Sequence, residues 1–321
     1  WPNRDHRTAN SPRDLIRYDF LNPYLIDRIL AAVSLLTRLK EEKPEAKYYT
    51  FGNCSIHRHS LQKGITYYRE ALDVFVGDYL IRGGALIAWH IPTQLPTNPA
   101  FRIIGAHTDS PGFKLKHTPD HTTYGFNQAA VEIYGGPIIS SWFDRDLKLA
   151  GIITHTDGTT HLYETPPLLR IPNLAIHLDR NPTLDRQHHT TPIYGTTTNP
   201  TSILPTNTCT HDLITVDTQP PGRLGTDHKL LAAGRLDNLS SVYPAITALI
   251  DAADAATDIL ILACFDHEEI GSATTTGAAG PILQDTLERT AYALGLNLDE
   301  TKRAYQRSTC VSADAAHSIH P

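Results

Sequence analysis

Three times in this sequence a short apolar run, read as a β-strand, ends on side chains able to hold a cation. Phe101-Arg102-Ile103-Ile104-Gly105-Ala106 leads into His107 and Asp109, Asp258 to Phe265 leads into Glu268 and Glu269, and Ser308 to Ser312 leads into Asp314 and His317. In open α/β sheets the carboxyl ends of the strands are where ligands bind. A fourth carboxylate, Asp237 in Gly234-Arg235-Leu236-Asp237-Asn238-Leu239, stands at the start of an apolar stretch read as a helix. Burying an unpaired carboxylate is costly, and four of them turned toward one rim repel one another unless cations sit between them. Imidazole with several carboxylates and no thiolate suits zinc, with manganese or cobalt as alternatives, better than copper or an iron–sulfur cluster.

An odd carboxylate able to bridge two ions, with a His and an acid left over for them, is what two-metal hydrolysis requires. With Glu269 on the metal, the adjacent Glu268 stays free to act as general base toward the attacking water. Asp109, two residues beyond His107, is placed to accept the proton of the ring's other nitrogen and so fix its tautomer. Any one such pair, in a chain with 17 His and 34 Asp+Glu, would be ordinary surface chemistry. Asp237 read alone could equally cap its helix. The apolar strand before three of the four positions is what sets them apart.

The elements that must position these groups follow from periodicity and punctuation. Tyr79-Leu80-Ile81 and Ala85 to Trp89, split by Arg82-Gly83-Gly84, read as a hairpin. Leu239 to Ala256 reads as an apolar helix, Asp258 to Phe265 as a strand, and about Pro281 to Leu294 as a further helix. An earlier amphipathic helix opens at Asn22-Pro23, with Ile26, Ile29, Leu30, Val33 and Leu36 on one face, and ends near Glu41 to Pro44. Between His117 and Asp227 the text turns rich in Thr, Pro, Asn and His with short apolar pieces, a β-rich insert. The expected organisation is a first catalytic part over 1–116, a β-rich domain over 117–227 and a second catalytic part over 228–321.

With 321 residues, 40% hydrophobic and 19% charged, the chain has globular usage and length enough for a large core. Its formal net charge of −6 argues against a nucleic-acid or anionic-membrane surface. Cys54, Cys209, Cys264 and Cys310 form no CxxC pair, which fits a reducing, cytoplasmic setting. No apolar run approaches the roughly 18 to 20 residues that span a bilayer. The absence of methionine and the ending at Ser318-Ile319-His320-Pro321 read as those of a fragment of a longer product.

Six blocks in order, IIGAHTDSPGFKLK (103–116), VEIYGGPIISSWFDRDLKLAG (131–151), RIPNLAIHLDR (170–180), GRLDNLSS (234–241), CFDHEEIGS (264–272) and SADAAHSIHP (312–321), resemble the M18 family of metallo-aminopeptidases. The resemblance implies an α/β catalytic domain with a mixed sheet (α/β/α), interrupted by a β-rich dimerisation domain. It implies self-association to a dimer and then a dodecamer, and peptide substrates with a free N-terminal residue, an acidic one being expected. Carried over by motif, His107 binds one of two divalent ions, most simply zinc, Asp237 bridges both, Glu269 binds the second and Asp314 completes the first. Glu268 is then the general base, Asp109 orients His107, and His317 is a substrate-side histidine. His177 resembles a histidine that a neighbouring subunit adds to the pocket. The family's last metal-binding histidine and a lysine of the acidic-substrate pocket follow the last block. They are therefore expected beyond Pro321, and the chain alone is expected to fold poorly or be inactive. The rivals are a related binuclear deacylase, which usually lacks the long insert, and a non-catalytic assembly protein, which has no need of a free base beside the metal.

Overall fold

A computed structural model of the chain describes residues 77–181, 183–196 and 202–319. The expected helix after Asn22 lies outside the described residues. In chain order the strands are β1 (Gly77–Arg82), β2 (Ala85–His90), β3 (Phe101–His107), β4 (Gly112–Thr123), β5 (Phe126–Tyr134), β6 (Leu147–His155) and β7 (Thr160–Glu164). They continue with β8 (Ile193–Thr196), β9 (Thr208–Asp217), β10 (Gly222–Leu224), β11 (Leu230–Ala232), β12 (Ile259–Phe265) and β13 (Thr309–Ser312). The helices are α1 (Leu236–Ala252), α2 (Ile282–Ala293) and α3 (Leu298–Arg307). The described residues fall into two compact units, one of residues 77–110 with 235–319 and the other of residues 111–234.

The first unit is built on a five-stranded sheet in the order β1-β2-β12-β3-β13. The apolar runs of β2, β3 and β12 form strands largely buried on both faces, and their residues alternate between two cores, whereas β13 is exposed along its length. Leu86, Ala88, Leu262 and Cys264 pack with Leu239, Val242, Ala245, Ile246 and Leu249 of α1. Ala85, Ile87, Trp89, Ile261 and Ala263 point the other way and pack with Ile282, Leu287 and Ala291 of α2 and Ala304 of α3. This is the expected α/β/α arrangement, and the sheet is mixed. β1 and β2 pair antiparallel through Arg82↔Ala85, joined at Gly83, whose φ of +59° is open to glycine without strain.

The register of the parallel strands places the chemistry. Phe265 on β12 stands opposite His107 on β3, and Ser312 on β13 stands opposite Gly105. β3 and β12 therefore end level, β13 ends two residues short of them, and the residues that follow all three emerge at one edge of the sheet.

The helix read from Leu239 to Ala256 is α1, followed by a 3₁₀ turn at Ala253–Ala255. Its N-cap is Arg235 in a left-handed conformation, and Asp237 has non-helical φ −82° and ψ 111°. Asp237 is thus no simple helix cap. Helix α3 was not among the expected elements. Its buried face is small, only Thr301 and Ala304, so hydrophobic periodicity is faint. The legible signal was the capping box Asn297-Leu298-Asp299-Glu300, in which the Asn297 side chain accepts the Glu300 N–H and the Glu300 side chain accepts the Asn297 N–H.

The second unit holds a six-stranded sheet, order β7-β6-β9-β4-β5-β8, and the two-stranded ribbon β10-β11. Its core gathers Phe113, Leu115, Val131, Leu147, Leu149 and Leu213. All its strand pairs are antiparallel. None of the described helices is long and apolar enough to cross a membrane.

Replacing Asn297 by Ala removes one half of the capping box, and a loss of about 1 kcal/mol is expected for such a cap. The check is a denaturant titration, in which Asn297→Ala lowers the midpoint without changing the slope.

Candidate metal centre

His107 ends β3 with its side chain only 5% exposed, and Asp109 beside it is 7% exposed. The ring's Nδ1 lies 3.1 Å from the backbone oxygen of Asp109 and 3.4 Å from its Oδ1. A carbonyl oxygen can only accept, so Nδ1 carries a hydrogen and Nε2 is the atom turned to the site. Around Nε2 stand Asp237 Oδ1 at 3.2 Å, Asp314 Oδ1 at 3.4 Å and Glu268 Oε2 at 3.8 Å.

The Asp109 carboxylate is bound to the second strand end as well. Its Oδ1 accepts the Glu268 N–H at 3.1 Å, and its Oδ2 accepts the Glu269 N–H at 3.1 Å. These amides begin the short 3₁₀ turn Glu268–Ile270 after β12, where no intrahelical acceptor is available to them.

Two positioning contacts escaped the sequence reading. The Ser110 hydroxyl donates to the Asp237 backbone oxygen at 2.9 Å. The fully buried Asn238 donates from Nδ2 to the Ala313 oxygen at 2.8 Å. This second bond ties the start of α1 to the end of β13 and so holds Asp237 and Asp314 on the same side of His107. The only signal in the sequence was adjacency to a candidate acid, which by itself distinguishes nothing.

Two overlapping groups of ligand atoms result. His107, Asp237 and Asp314 present one each within 4.8 Å of one another, and so do His107, Glu268 and Glu269. His317 lies exposed on the segment after β13 and His177 lies exposed in the second unit; neither belongs to these groups.

The electrostatics of the cluster favour positive charge. Burial alone would lower the pKa of His107, but hydrogen bonding and charge from Asp109, with Glu268 and Asp314, outweigh it and raise the ring to about 9. Burial pushes Glu269 up to about 7; His107 pulls it down, and Asp109, Glu268 and Asp237 repel its charge. One imidazolium facing this many carboxylates leaves the cluster net negative. The donor set, one imidazole nitrogen and several carboxylate oxygens, fits a divalent cation such as zinc.

The sequence profile described as "Aminopeptidase I zinc metalloprotease (M18)" matches residues 55–208 and 198–321. The chain belongs to the M18 peptidase family. A "Probable M18 family aminopeptidase 2" of Streptomyces coelicolor is 42% identical over 266 residues, covering 76% of this chain and 62% of that protein. The chain thus spans under two thirds of this relative's length. Among solved structures, the Ape4 and Nbr1 complex matches with TM-score 0.74 and 27% identity, over 97% of this chain and 64% of that one. The "S. cerevesiae mApe1 dodecamer" matches with TM-score 0.69 and 24% identity, over 97% of this chain and 72% of that one, and shows likeness of fold.

The signs of the pKa shifts set a pH dependence. In the metal-free protein His107 is raised to about 9 and Glu269 to about 7, so the folded chain holds more protons than the unfolded one between roughly pH 4.5 and 9. Metal-free stability therefore falls as pH rises through this window. Zinc uptake must expel those protons, so affinity rises over the same window. Calorimetric titration in buffers of different ionisation enthalpy should show proton release on zinc binding; uptake without it would contradict the charge state assigned to His107.

Proposed function

We propose that the whole protein to which this chain belongs is a two-metal aminopeptidase that removes an unblocked N-terminal residue, Asp or Glu in preference, from peptides. The observation that carries this reading is the buried His107, with its Nε2 facing Asp237, Asp314 and Glu268 at 3.2 to 3.8 Å. The preference for acidic residues rests on the resemblance of the six sequence blocks.

His107 and Asp314 would hold one zinc ion, Glu269 the other, and Asp237 would bridge them. When bound, the ions would polarise the scissile carbonyl and lower the pKa of the attacking water toward about 7. Asp109 keeps the His107 ring in the tautomer that leaves Nε2 free for a cation. Glu268, its side chain 45% exposed at the rim, would take the proton from water at its carboxylate and return it to the leaving amine. The more enclosed Glu269 suits a ligand better than a proton carrier.

His317 would meet the substrate from the segment just beyond Asp314. His177 would serve a neighbouring subunit's pocket. Leu174, Ile176 and Leu178 around it are 65%, 70% and 69% exposed, and apolar side chains so placed favour burial against another molecule. On this reading the β-rich unit mediates dimer formation, and dimers assemble further toward a dodecamer.

The test uses the full-length protein, stripped of metal and reloaded with zinc, manganese or cobalt, on chromogenic amides of Asp, Glu and Leu. Glu268→Gln is expected to lower kcat by about 10²- to 10⁴-fold with little change in KM, the usual size of a lost general base. Wild-type turnover by this variant would refute the base assignment. Cleavage of N-acylated substrates alone would point to a deacylase, and zinc uptake without any hydrolysis to an assembly protein.

A further inference from the structure

The loop carrying Glu268 and Glu269 is held at a second place besides Asp109. The residue before it, Asp266, follows the last residue of β12, and its side chain is 15% exposed. Its Oδ2 accepts the N–H of Gly84, in the β1–β2 turn, at 3.0 Å. Its Oδ1 accepts the N–H of His267 at 2.9 Å. The Gly84 carbonyl accepts the Thr108 hydroxyl at 2.7 Å, and Thr108 lies between His107 and Asp109. One hairpin turn thus ties together the ends of β3 and β12, the strands that deliver the imidazole and the paired glutamates.

The geometry leaves little slack. A Cβ on Gly84 would lie 2.7 Å from Asp266 Oδ2, 2.8 Å from Cγ and 3.0 Å from Oδ1, so the carboxylate packs flat against the glycine. His267 has φ +62°, a left-handed step that a residue with a Cβ adopts only when its surroundings hold it. Asp266 grips the backbone of that step, while the Thr274 and Thr276 hydroxyls stand 3.0 Å and 3.2 Å from the His267 ring Nδ1. The left-handed step turns the chain so that the next two amides reach Asp109.

We propose that Asp266, seated on Gly84, is a positioning residue for the Glu268–Glu269 pair, acting through the turn at His267. It neither faces the cation nor meets the substrate. The proposal rests on the two-metal reading above: loss of the clamp loosens Glu268, the base, and Glu269, a ligand of one ion, while His107, Asp237 and Asp314 keep their own supports.

The experiment is an equilibrium zinc titration, with kcat and KM, on full-length Asp266→Ala, Asp266→Asn and Gly84→Ala. In Asp266→Ala, one zinc ion is expected to bind about 10- to 100-fold more weakly, the size of effect typical when support of a ligand is lost. The other ion should stay within about twofold, and kcat should fall about 10- to 100-fold with KM within about twofold. Asp266→Asn keeps one acceptor oxygen and should recover part of the loss. Gly84→Ala, which leaves Asp266 in place but displaces it, should move the same quantities in the same direction. The clamp is refuted if all three variants keep wild-type zinc affinity and kcat, or if both ions weaken equally and Asn rescues nothing. If Asp266→Ala does not fold, the Asn and Gly84 variants decide. Zinc binding is read without turnover, so a protein that cleaves no peptide would overturn the aminopeptidase reading while the clamp was still judged.

Discussion

The carboxylate of Asp109 is the point on which the site hangs. It is almost fully enclosed, and it meets the His107 ring and two backbone amides of the loop after β12 at the same time. Hydrogen bonds to a charged acceptor are among the stronger ones, and an enclosed carboxylate left without them would carry a large desolvation cost. The same group therefore sets the orientation of the imidazole and the start of the Glu268–Glu269 turn. Neither can shift without unpairing a buried charge.

That arrangement works only because the sheet brings the strand ends to one edge. β3, β12 and β13 run parallel with their ends at one edge; the two cores on the faces of the sheet hold the register of β3 against β12, and backbone pairing to β3 holds β13. A slip of one residue would turn each strand's side chains to the opposite face. It would also carry His107, the paired glutamates and Asp314 to different depths. Packing energy distributed over both cores is in this sense what keeps several like charges together.

Those charges do not favour one another. Two carboxylates about 4 Å apart repel by roughly 4 kcal/mol at an effective dielectric constant of 20. The metal-free protein answers by keeping His107 protonated, with a pKa of about 9, and by holding Glu269 near 7. A divalent cation answers the same repulsion more completely. A proton on the imidazole and a cation would compete for one position, which would link the acid–base behaviour of the cluster to any affinity for metal.

Much of this was legible in the sequence. Apolar runs at residues 101–106 and 258–265 are too short for helices and too continuous for half-exposed strands, so they had to be buried in an α/β sheet, with chemistry at their ends. The types of His107, Asp109, Asp237, Glu268, Glu269 and Asp314 pointed to a cation as the chemistry to look for. Local rules also held the signal for α3, in Asn297 and Glu300, although its polar face hid it. What no local pattern contains is distance between residues remote along the chain. That Asp109 would grip amides 159 and 160 residues away, that Asn238 would bond to Ala313, and that Gly84 would be bare because Asp266 lies against it, depend on strand order and register. These are decided by the burial of the whole sheet at once. Residue type determined which chemistry was available to the chain, and only tertiary packing decided which groups share it, because hydrogen bonds and charge interactions act over a few ångströms of space whatever their separation in sequence.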